Sequence, residues 1–131
     1  MRSDPLSLGR PGKTLAFAAV AEAATGLVLL VDPALVAALL LGAELSGVAP
    51  VLGRCFGIAL LALGLACWPG RRRVGGNPSA LRGMLVYNAS IALYLAYLGA
   101  VQHLSGLLLW PAVVLHAGVA LLLGWPARGA R

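Results

Sequence analysis

At 131 residues, 60% hydrophobic and only 11% charged, the chain is one domain at most, and no soluble domain of that size has an interior able to hide so much apolar surface. Its mean hydropathy of +0.91 calls for long apolar runs in a bilayer, so the expectation is an integral membrane protein. The net charge of +6 would suit a nucleic-acid binder, but the basic residues flank apolar runs and form no stripe interleaved with stacking aromatics, so nucleic acid is excluded and anionic lipid head groups are the expected partner.

After the basic segment "MRSDPLSLGRPGK", residues 14–31 form a first apolar run about long enough to cross a 30 Å hydrocarbon core. A cleaved signal peptide is excluded, because Glu22 interrupts the run and three more spans follow. Asp32 and Pro33 then make a helix-start signal, an N-cap followed by proline at N1. The helix they open, residues 33–41, covers only about 14 Å, too short to span. It reads as a re-entrant or interfacial helix on the outer side, apolar nearly all round.

A second span is expected over residues 48–68, with Ser46 as its N-cap and Pro50 in the tolerant first turn. "PGRRRVGGNPS" breaks the chain, and a third span follows over residues 83–101. A tight "QHLSG" turn leads to the fourth, residues 107–125, where Pro111 marks either the helix start or a kink. The expected fold is all-α, an integral membrane four-helix bundle with one short outer helix. Of ten basic residues, Arg2, Arg10, Lys13, Arg71, Arg72, Arg73, Arg82, Arg128 and Arg131 then fall on one side and only Arg54 elsewhere. By the positive-inside rule both termini are cytoplasmic. Trp68 and Trp125 would mark the inner interface and Trp110 the outer. The nine arginines to one lysine and the wealth of Ala and Gly suggest a GC-rich bacterial genome, and the expected location is a bacterial inner membrane.

Glu22 is the main chemical clue. A carboxylate at mid-membrane costs a few kcal/mol, so it should face protein or water. Its helical neighbours Ala18, Ala19, Thr25 and Gly26 are small and let another helix come close. Counting about 1.5 Å per residue puts Glu22 and His116 at a common depth of about 12–14 Å, Tyr94 at about 16 Å, and Arg54 about 9 Å beyond Glu22. Glu22, Arg54, Tyr94 and His116 therefore form a candidate intramembrane cluster for a ligand or a proton. The plainer reading is a structural network in which Glu22 pairs with Arg54 or His116 and fixes helix register. Tyr87, Ser90, Tyr94 and Tyr97 repeat at i, i+3, i+7 and i+10, with Asn88 beside them, a polar stripe that is either a packed seam or a groove for a lipid or quinone head group. "GRCFG" supplies a GxxxG from Gly53 to Gly57, with Gly64 a heptad on, marking close helix packing within the chain or between protomers.

Enzymes are set aside. The chain has no GxSxG, no HExxH and no phosphate-binding glycine loop, and Glu22 is the sole acid inside a span, so paired carboxylates have nowhere to sit. Cys55 and Cys67 lie about 18 Å apart on one helix, beyond disulfide reach. Haem lacks a second axial histidine, because His103 is in the outer turn; no metal and no cofactor are expected.

"TGLVLLVDPALVAALLLG" and then "GRCFGIALLALGL", with Pro33, Arg54 and Gly57 at the matching positions, resemble small four-helix bacterial inner-membrane proteins of the DoxX-like kind. The resemblance implies a four-helix bundle and an accessory role beside a membrane redox system, and it transfers no catalytic residue. The first functional reading is a non-enzymatic accessory or scaffold component packing against a membrane partner or itself. The second is a small carrier or binder of a lipophilic molecule or a proton.

Overall fold

The computed structural model describes residues 10–68 and 78–125, and their regular structure is helical throughout. Five helices follow in order: α1 (Arg10–Val31), α2 (Pro33–Leu41), α3 (Ala49–Ala66), α4 (Pro78–Ala100) and α5 (Leu109–Gly124). Within α1, α3 and α4 lie segments long and apolar enough to cross a membrane. At 16 residues, α5 is a shorter apolar helix of about 24 Å. Of the basic residues on which the expected orientation rests, Arg2, Arg71, Arg72, Arg73, Arg128 and Arg131 lie outside the described residues.

Local chemistry accounts for the helix ends. Asp32 accepts a hydrogen bond from the Leu35 N–H at 3.0 Å and Pro33 opens α2, so Val31 and Leu35 belong to separate helices. Gly42 ends α2 in the left-handed conformation, φ 67°, that glycine adopts without penalty. Ser46 does not cap α3 with its side chain. The N-cap is Val48, and Ser46 supplies only its carbonyl, to the Ala49 N–H at 3.2 Å. Pro111 is the third residue of α5, within its first turn, where no intrahelical donor is lost, so it produces no kink. α1 and α4 begin four and five residues before the expected apolar boundaries, because a helix need not stop where its hydrophobicity does.

The helices pack as two hairpins, α1 on α3 and α4 on α5. The first is built on glycine. A Cβ on Gly26 would lie 2.7 Å from the Gly57 carbonyl oxygen, one on Gly57 would lie 2.7 Å from that of Gly26, and one on Gly64 would lie 2.6 Å from that of Ala19. Ala19 and Gly26 are a heptad apart, as are Gly57 and Gly64, so the two backbones touch at matched points on antiparallel helices. The GxxxG is thus occupied within the chain: Gly57 meets α1, and Gly53 meets the Pro33 ring.

A core of Leu15, Ala18, Ala19, Cys67, Met84, Val119 and Leu123 joins the hairpins. It combines the starts of α1 and α4 with the end of α5 and the residue closing α3, so successive long helices alternate in direction. At the other end Leu108 N–H donates to the Leu39 carbonyl at 2.8 Å, and Gly106 sits against the backbone of Leu39 and Leu40. The α4–α5 connection is therefore pinned to α2. Pro33 and Ala37 are the buried residues of α2 while Leu35 is 46% exposed, so one side of this helix faces the rest of the chain.

Candidate functional site

Three heptad rows build the site. On α1, Leu15, Glu22 and Leu29 are buried at seven-residue intervals; on α4, Asn88 lies seven residues from Leu81 and Leu95; on α5, His116 lies midway between Leu109 and Leu123. Seven residues are close to two helical turns, so each polar group holds the same inward face as its leucines. The three heptad rows thus bring Glu22, Asn88 and His116 to a common layer.

Glu22, 3% exposed, accepts a hydrogen bond from the Tyr87 hydroxyl at Oε2, 3.0 Å. Its Oε1 lies 3.8 Å from His116 Nδ1. That nitrogen is 2.7 Å from Asn88 Oδ1. Asn88 is fully buried, and its Nδ2 donates to the Met84 carbonyl at 2.9 Å, which turns the amide oxygen toward the ring. An amide oxygen can only accept, so Nδ1 of His116 carries the hydrogen. Tyr87 closes the group by meeting the imidazole edge-on, ring centres 6.0 Å apart. Among the described residues no buried side-chain nitrogen or oxygen lacks a partner.

Of the cluster expected from depth, Glu22 and His116 come together, and Arg54 and Tyr94 do not. Arg54 is exposed and its Nε donates to the Leu30 carbonyl at 3.2 Å. That carbonyl stands in the last turn of α1, where Pro33 prevents the helix from continuing, so Arg54 serves an orphan acceptor at the negative end of the helix dipole. Leu30 is eight residues past Glu22, about 12 Å along the helix. Tyr94, 59% exposed, stacks on Tyr97 with ring centres 6.4 Å apart. Tyr97 accepts from Gln102 Nε2 at 2.8 Å near the end of α4.

The expected tyrosine stripe divides accordingly. Tyr87 and Asn88 join the polar layer, whereas Ser90, Tyr94 and Tyr97 are on the exposed side. Row geometry explains the split: the buried face of α4 runs through Met84, Asn88, Ala92 and Leu95, and the tyrosine row lies beside it. The missed signal was present in the spacing, since Glu22, Asn88 and His116 each stand seven positions from a leucine on both sides.

Among the described residues, two open grooves lie on the helix surface. One, about 450 Å³, runs between α1 and α5 along Lys13, Phe17, Val114, Gly118 and Leu122. The other, about 320 Å³, follows α1 and α3 along Ala23, Leu27, Gly64 and Trp68. Glu22 lines neither. Compared with protein-family models, with curated proteins and with solved structures, the chain matches none.

Proposed function

We propose that the protein is a non-enzymatic scaffold component of the bacterial inner membrane, a four-span bundle that packs against a membrane partner or a second copy of itself. In this reading α5 is the fourth span, with Trp110 and Trp125 near its ends, and both termini are cytoplasmic. The observation that carries it is the polar layer: Glu22, Asn88, Tyr87 and His116 satisfy one another across three helices and line neither surface groove. A polar group at the centre of an otherwise leucine row sets register and partner choice between helices. Outside the layer, Val31, Leu65, Leu93 and Leu121 are each 71–80% exposed, apolar surface that suits lipid or a neighbouring helix.

Native mass spectrometry of the protein released from its own membranes, wild type beside Glu22→Gln, tests the proposal. A protein neighbour or a second copy present in both is expected. A monomer with no protein neighbour overturns the scaffold reading. A bound small molecule that vanishes with Glu22→Gln would replace it with the carrier reading, whose support is the Tyr87–Glu22 hydrogen bond with the His116 ring 3.8 Å from the carboxylate.

A further inference from the structure

We propose that the groove between α1 and α5 is a binding site for one anionic phospholipid, its acyl chain along the groove and its head group on Lys13. The wall is apolar along Phe17, Val114, Leu115, Val119 and Leu122, and among the described residues the one charged group on it is Lys13, at the end. From Val114 to Leu122 the groove runs eight residues, about 12 Å, close to the depth of one leaflet of a bilayer whose hydrocarbon core is about 30 Å thick. Lys13 is in the first turn of α1 and exposed, where a lysine stem lies along apolar surface and its ammonium reaches the head-group layer. An apolar channel with a single cation at its interfacial end complements an amphiphile with an anionic head. The α1–α3 groove, walled by Val20, Leu27 and Leu65, has no charged residue along it among the described residues.

Gly118 supplies the second argument. Gly26, Gly57 and Gly64 are glycine because a Cβ there would strike a neighbouring helix, but a Cβ on Gly118 would meet nothing within 4 Å. A glycine inside a helix is unfavourable relative to alanine, and at this position none of the described residues uses the space. It deepens the groove floor midway along its length, where a chain of methylenes would lie.

The test is native mass spectrometry from nanodiscs of phosphatidylcholine mixed with phosphatidylglycerol, counting the lipids that stay on each chain. One retained phosphatidylglycerol is expected, favoured about fivefold over phosphatidylcholine by the single lysine. Lys13→Gln should keep a lipid but lose the preference. Gly118→Leu, whose Cβ would stand in open space, puts a side chain on the floor and should lose the lipid. If that variant does not accumulate in the membrane, Leu115→Trp narrows the same groove from its exposed wall. Retention unchanged by groove filling, or equal retention of both lipids by the wild type, overturns the proposal. So does a second copy of the chain that leaves when the groove is filled. The scaffold reading stands or falls separately, because it concerns protein neighbours and Glu22.

Discussion

Glu22 and Tyr87 form the direct contact between α1 and α4 in the polar layer, so their energies should be coupled. Glu22→Ala strands the Tyr87 hydroxyl and opens space in the core, and should cost about 1–3 kcal/mol. Glu22→Gln keeps an acceptor for Tyr87 and should cost less. A double-mutant cycle with Tyr87→Phe should return about 0.6 kcal/mol, the scale of interhelical polar contacts in membranes. Reversible unfolding in mixed micelles reads all three, and a coupling indistinguishable from zero would remove this pair from the layer. The sequence announced Glu22 because an acid inside an apolar run is rare. It named His116 by depth, which has one coordinate. Arg54 and Tyr94 share that depth only approximately, and depth carries no information about which way a side chain faces. The angle was available from the seven-residue distance between Leu109 and His116, and from that between Leu81 and Asn88.

At the scale of helices, the glycines separate into two kinds that composition alone cannot distinguish. Gly57→Leu would drive a side chain into the α1 backbone and should destabilise by about 1–3 kcal/mol. Gly118→Leu changes a helical glycine to the same residue, yet with open space at its Cβ it should be neutral or stabilising by up to about 1 kcal/mol. The same unfolding assay compares them, and equal losses would contradict the packing of α1 on α3. Arg54→Ala should cost about 0.3–1 kcal/mol through the end of α1. The short helix α2 was legible to the residue, because aspartate, proline and glycine each leave a local mark at its ends. The GxxxG was legible as close packing, but whether it met α1 or another chain depended on where α1 places Gly26.

For the whole molecule, the alternating helix directions bring the start of α1, the start of α4 and the end of α5 to one end. If that end is cytoplasmic, as proposed, a reporter fused at either terminus should be active only in the cytoplasm. A cysteine placed at Ser105 in the α4–α5 connection should react with an impermeant reagent added outside. Labelling of Ser105→Cys only after the inner face is opened would invert the orientation. Hydropathy located the long helices well, and three of them, α1, α3 and α4, contain segments long and apolar enough to cross a membrane. It could not predict that the hairpins are also fastened at the far end, where Leu108 and Gly106 meet α2, since that contact is made by backbone.

The bond from Tyr87 to Glu22 spans 65 residues of sequence, and that separation has a meaning in time. At about 5–20 residues per second of synthesis, the carboxylate leaves the ribosome roughly 3–13 s before its hydroxyl partner, and longer before the imidazole. During that interval the first hairpin can zip along its glycines with an acid still unanswered on its other side. A nascent chain halted after Trp68 should therefore enter the bilayer less completely than the same fragment carrying Glu22→Leu, and the difference should disappear once α4 and α5 are translated. The second half of the molecule acts, for the first, as a chaperone that arrives late and stays.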